Sequence, residues 1–143
     1  MRPRSALAAV LALAALLRVT LALQPLDRLD RLFIPDDTYY TLSVARSIAR
    51  GLGPTADGMT ATSGFQPLLA FLMVPAFTAG VSGDAAVRAV VLLSALFDVV
   101  CVALLFVIVE RTWGATAGLL AAFFWSISPF AIANALIRSF TNG

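Results

Sequence analysis

The sequence predicts an all-α protein, a polytopic membrane helix bundle with four transmembrane helices and an amphipathic juxtamembrane helix in the first outer loop. Three observations predict it. Of 143 residues, 60% are hydrophobic and 13% charged, against about 45–50% and about 25% in an ordinary soluble domain. Mean hydropathy is +0.92. Apolar runs of 17 to 25 residues recur along the chain, and about 20 helical residues cross a hydrocarbon layer of about 30 Å.

The first span covers about residues 5–23, after Arg2 and Arg4. Thr20-Leu21-Ala22 offers a signal-peptide cleavage site, but 19 apolar residues exceed the usual h-region of about 7–15, so an uncleaved span is the better reading. The others are about 65–81, carrying Pro75, then 85–109, and 115–133, with Pro129 near its end. Trp113 falls where an interfacial aromatic belongs. This scheme places Arg88 opposite the long loop 24–64 and splits the arginines four against five. The count does not orient the chain. Arg2 and Arg4 favour a cytoplasmic N-terminus and an outward-facing loop.

Within that loop Leu26 to Phe33 repeats Leu-Asp-Arg, an interfacial pattern. Pro35-Asp36-Asp37 opens a helix that Gly51 closes. Tyr39, Ser43, Arg46 and Arg50 share one face of it, and Tyr40, Val44 and Ile48 another. A turn centred on Asp57-Gly58 follows, and Ser63 and Gln66 have capping-box spacing for the second span.

Composition excludes several kinds of chemistry. All ten basic residues are Arg, in no dense tract, so no nucleic acid partner is expected. One Cys and no His leave neither a disulfide framework nor a His/Cys metal site. Cys101 lies in an apolar run and reads as filler. The carboxylates Asp36 and Asp37 stand at the mouth of the bundle, where they cap a helix and offset its dipole, or take a proton from a hydroxyl. Asp98 falls near the middle of the third span, a functional position by default or an inward-facing hydrogen-bonding group. Arg18, in the first span, is expected to snorkel to the outer interface, because helical rise sets it about 10 Å from the level of Asp98. Arg46 and Arg50 have the guanidinium chemistry for a lipid phosphate, or face water and lipid headgroups as an ordinary polar face.

Pro35-Asp36-Asp37-Thr38-Tyr39-Tyr40, then Ala45-Arg46, Gly51-Leu52-Gly53 and Ser63-Gly64-Phe65-Gln66-Pro67-Leu68, resemble the first extracytoplasmic loop of the GT-C superfamily of membrane glycosyltransferases. The relatives implied are protein mannosyltransferases and the aminoarabinose and arabinofuranose transferases. The specific part of the likeness is Asp36 to Leu68, and many members carry His where this chain has Gln66. The resemblance implies inverting transfer of a sugar from a polyprenyl-phosphate donor to a hydroxyl of a glycan, lipid or protein acceptor, in a bacterial inner membrane. It implies Asp36 and Asp37 as catalytic residues, with Asp36 the base, and substrate contact at Arg46, Arg50, Tyr40 and Gln66. A divalent cation held through Asp36 and Asp37 is the one cofactor it allows. Members have more than four spans, so the chain reads as the N-terminal portion of a longer enzyme. The competing readings are a polytopic transporter using Asp98 and Arg18, and a non-catalytic four-span scaffold.

Overall fold

The computed structural model describes residues 3–32 and 36–135, with side chains except those of 30–32, 36 and 133–135. The side chain of Asp36, and Arg2, Pro35, Arg138 and the closing 141–143, lie outside the described residues. The described residues form seven helices: α1 (Pro3–Ala22), α2 (Leu26–Leu32), α3 (Asp36–Ala49), α4 (Pro67–Thr78), α5 (Asp84–Trp113), α6 (Ala115–Ile127) and α7 (Pro129–Ala135). They include no β-strand, only the isolated bridge Thr55–Ala61.

Two helices, α1 and α5, are long and apolar enough to cross a membrane. The 20 residues of α1 and 30 of α5 make rods of about 30 Å and about 45 Å. Between Arg88 and Glu110, α5 carries a single charge, Asp98, and its outward face exposes Leu92, Leu96, Val100, Leu104 and Ile108.

The expected second span does not form one helix long enough to cross a membrane. Residues 64–66 are not helical, Pro67 starts α4, and Gly80 ends it with φ +87°. Val81 N–H bonds the Ala76 carbonyl and Gly80 N–H that of Phe77, both at 3.0 Å, the paired bonds of a left-handed helix stop. What remains is 12 residues, about 18 Å. The proposed Ser63/Gln66 capping box is also absent: Gln66 is itself the N-cap and makes no side-chain cap bond.

Arg88 fixes where this short helix lies. Its Nη1 donates to the Ala22 carbonyl at 2.8 Å and that of Gln24 at 3.4 Å, tying the start of α5 to the end of α1. The α4–α5 turn therefore sits at the same end of the bundle as the long loop, not opposite it. An apolar cluster unites this end: Ala22 of α1, Leu29 of α2, Leu42 and Ala45 of α3, Ala70 and Met73 of α4, and Val87, Val90 and Val91 of α5. A second cluster, Ala14, Val102, Phe106 and Ala122, fills the other half between α1, α5 and α6. The fourth expected span is broken, since Ser128 is extended (φ −63°, ψ 121°) and Pro129 begins α7.

Helix α6 approaches α5 through Gly118, Ala122 and Ser126, all buried and spaced four apart, so that small side chains let the backbones close. A Cβ on Gly118 would lie 3.0 Å from the Phe106 carbonyl oxygen and 3.2 Å from the Glu110 nitrogen. Because both are backbone atoms, Gly118→Val must push the helices apart. It should lower stability by about 1–3 kcal/mol, the usual cost of overpacking, read as a fall in thermal midpoint in detergent. Gly118→Ala should cost less.

Candidate functional site

Helix α3 carries most of the polar chemistry, and its ends are set locally. Gly51 adopts φ +79°, so Leu52 N–H reaches back to the Ser47 carbonyl at 3.0 Å and Gly51 N–H to that of Ile48 at 2.9 Å. This is the glycine stop that the sequence called for. The helix buries Thr38, Thr41, Leu42, Val44, Ala45 and Ser47, which seats it on the cluster at the Ala22 end. Its opposite side presents Tyr39, Ser43 and Arg46 to a hollow of about 330 Å³ that also takes in Leu26, Asp27, Gly83 and Asp84. A second hollow of about 390 Å³ adjoins it, sharing Arg46 and Gly83 and adding Arg50, Phe77 and Ser82. The two make one trough between α3 and the α4–α5 turn. The Arg46 guanidinium lies over the Phe77 ring, 5.6 Å from its centroid, a contact that aims the charge along the trough.

The sequence-predicted residues divide between places. Arg46 and Arg50 come together in the trough. Tyr40 does not join them: its hydroxyl hydrogen-bonds Thr62 Oγ1 at 2.6 Å, and it lines a separate hollow with Asp57, Thr60 and Thr62. The tyrosine in the trough is Tyr39. Gln66 is exposed at the start of α4 and lines neither hollow of the trough. Asp37 is exposed in the first turn of α3, and Asp36 precedes it as the first residue of the helix. Among the described residues no group of three or more His, Cys, Asp or Glu side chains could hold a metal ion.

Two trough carboxylates escaped the sequence reading. Asp27 passes for one unit of an interfacial repeat, and Asp84 for part of a tight turn. Both become visible only once the α4–α5 turn is known to face the loop.

The loop beyond α3 is built on Asp57. Its Oδ1 accepts from Thr60 N–H at 2.9 Å, Met59 N–H at 2.8 Å and Thr55 Oγ1 at 2.8 Å. These bonds, the backbone amide of Thr60 foremost, lower its pKa from 3.8 to about 2. Gly58 at φ +80° completes the turn, and Thr62 N–H closes its base on the Pro54 carbonyl at 2.8 Å.

The other polar site lies inside the bundle. Arg18 is fully buried and does not snorkel; its Nε and Nη2 face Asp98 Oδ2 in an ion pair. Helical rise alone left a gap, but side chains lean towards the N-terminus of their own helix. Because α1 and α5 run oppositely, the two side chains lean towards each other. Arg18 Nη1 also donates to the carbonyls of Ala14 at 3.1 Å and Ser126 at 3.0 Å. The Ser126 carbonyl is among the last of α6, left without a helical partner by the break at Ser128. Trp125 Nε1 donates to Asp98 Oδ1 at 3.1 Å. Both carboxylate oxygens are thus held by side chains of neighbouring helices, the arrangement of an interhelical staple.

No family model, curated protein or solved structure matches the chain.

The staple has a measurable signature. Arg18→Met or Asp98→Leu alone leaves a buried charge unpaired and should cost about 3–5 kcal/mol, whereas the double variant should regain most of that loss. A double-mutant cycle on thermal unfolding in detergent checks this; additive losses would show that the pair is not coupled.

Proposed function

We propose that the chain is the membrane-surface part of an inverting glycosyltransferase resembling the GT-C superfamily, which moves a sugar from a polyprenyl-phosphate donor to an acceptor hydroxyl. The observation that carries the reading is the trough bearing Arg46 and Arg50 on the interfacial helix that begins with Asp36 and Asp37. In this reading α1, α5 and the broken pair α6–α7 cross a bacterial inner membrane, while α2, α3 and α4 rest on its outer face. The exposed apolar side of α5 supports the crossing. A lipid phosphate bound by Arg46 and Arg50 holds the sugar at this face. Asp36 removes the acceptor proton as the hydroxyl attacks the anomeric carbon and the phosphate departs with the bonding pair. Asp37 supports it, one residue on and about 100° around the helix.

One observation favours a different reading. With Arg88 tied to the end of α1, the loop end of the described residues holds Arg28, Arg31, Arg46, Arg50 and Arg88, against Arg4 and Arg111 at the other. Five against two favours a loop on the inside by the positive-inside rule, where the chain would serve as a non-catalytic scaffold.

Labelling decides between them. Met59, 89% exposed at the loop tip, replaced by Cys in a Cys101→Ser background should react in intact cells with a thiol reagent that cannot cross the inner membrane. Reaction only after that membrane is opened would place the loop in the cytoplasm and end the glycosyltransferase reading.

The chemistry has its own test in the protein as the cell makes it. Asp36→Asn, which keeps the size of the side chain, should lower sugar transfer by about 100-fold to 10,000-fold, the general-base range. Loss with Asp37→Asn alone would reverse the assignment, and full transfer by both variants would reduce the doublet to a helix start.

A further inference from the structure

The trough is balanced in charge and divided in space. Its first hollow carries Asp27 and Asp84, its second Arg50, and Arg46 belongs to both. Among the described residues, none of these four charges is engaged in an ion pair. Each carboxylate also sits in the first turn of its helix, Asp27 in α2 and Asp84 in α5. Two anionic and two cationic groups therefore face one space without neutralising each other. An anion at the basic end would leave the two carboxylates without a partner.

We infer that the trough is a seat for the headgroup of a zwitterionic phospholipid carrying a primary ammonium, with its phosphate at Arg46 and Arg50 and its ammonium at Asp27 and Asp84. Guanidinium groups bind phosphate oxygens through paired N–H donors, and a primary ammonium donates three hydrogen bonds that carboxylates accept. The hollows, about 330 Å³ and 390 Å³, are at the small end of ligand sites, about 300–1,000 Å³. Position agrees with this, since Gly83 and Asp84 mark the polar end of α5, one turn above Arg88 and the start of its apolar stretch. A headgroup there leaves its acyl chains beside exposed Leu92 and Leu96. The Tyr39 ring and Leu26 supply an apolar wall for the ethylene link between ammonium and phosphate. The site shares its basic end with the proposed donor phosphate but does not depend on sugar transfer or on which membrane face the loop occupies.

Native mass spectrometry of the protein in detergent, titrated separately with dioleoyl phosphatidylethanolamine, phosphatidylglycerol and phosphatidylcholine, tests the inference. Two carboxylate contacts at an exposed site should favour phosphatidylethanolamine over phosphatidylglycerol by about fivefold. Phosphatidylcholine, whose quaternary ammonium has no N–H, should bind more weakly than phosphatidylethanolamine. Asp27→Asn with Asp84→Asn should abolish the preference while keeping phosphate binding, and Arg46→Gln with Arg50→Gln should weaken all three lipids. All four side chains are exposed, and an unchanged thermal midpoint shows that each variant folds; if a double variant does not, Asp84→Asn alone should still shrink the preference. Equal retention of the lipids, a preference for phosphatidylglycerol, or a preference that survives loss of the carboxylates would overturn the inference. Sugar transfer is not read in this experiment, so its outcome and that of the Asp36 test are separate.

Discussion

The structure depends on burying one guanidinium. Arg18 sits on the inner face of α1 between Ala14 and Ala22, the two other buried residues of that helix, with no water-facing route for its charge. Taking an ion out of water costs several kcal/mol even after relaxation. That cost is met only if its donors find acceptors from three helices together: Asp98 of α5 and the Ala14 and Ser126 carbonyls of α1 and α6. Each acceptor imposes a condition on the fold. Asp98 fixes the vertical register of α5 against α1. The Ser126 carbonyl is free because α6 ends there, so the Pro129 break belongs to the same arrangement. The small stripe Gly118, Ala122 and Ser126 then lets α6 come close enough for Trp125 to complete the carboxylate.

This polar layer divides the molecule into two apolar halves with different work. On the Ala14 side, Val102, Phe106 and Ala122 pack a plain three-helix contact. On the Ala22 side the cluster draws on α1 to α5 and seats α2, α3 and α4, each too short to cross a membrane, against the ends of α1 and α5. Arg88 plays the corresponding part there, joining the start of α5 to the last carbonyls of α1 and its following turn. One arginine sets the depth of the bundle and the other its rim. The trough lies on that rim because Gly83 and Asp84, at the head of α5, are held beside α3.

Much of this was legible in the sequence where the signal is local. The closure of α3 by Gly51, the turn at Asp57-Gly58 and the grouping of Tyr39, Ser43 and Arg46 on one face all follow from one or two residues and a helical period. Failures came where a local rule met a global one. The apolar run from Phe65 to Val81 looked long enough to span, but Pro67 and Gly80, both stop signals, cut it to 12 residues. Four crossings would run the spans of Arg18 and Asp98 parallel, with both side chains leaning the same way; because α5 starts beside the end of α1, the two helices are antiparallel and the side chains lean towards each other. The hydroxyl partner of Tyr40, Thr62, lies 22 residues away, beyond any periodicity argument.

The misplacement of α4 matters most for function, because it changes what the polar residues are next to. Were 65–81 a true crossing, the turn Ser82-Gly83-Asp84 would lie across the bilayer from α3, and Arg46 and Arg50 would face headgroups alone. With α4 folded back, the same turn brings Asp84 and the head of α5 against them, and Phe77 of α4 supplies the ring that holds Arg46. The acid–base character of the rim is therefore a product of topology rather than of any motif. Neither Asp27 nor Asp84 stands out along the chain, and both acquire meaning from a helix of 12 residues, about two turns short of the about 20 a crossing requires. A charged trough of this kind needs a firm wall on each side. Here α3 rests on its buried threonines and aliphatics, and the start of α5 is pinned through Arg88, so the two walls are fixed by packing and by hydrogen bonds that do not involve the trough residues themselves.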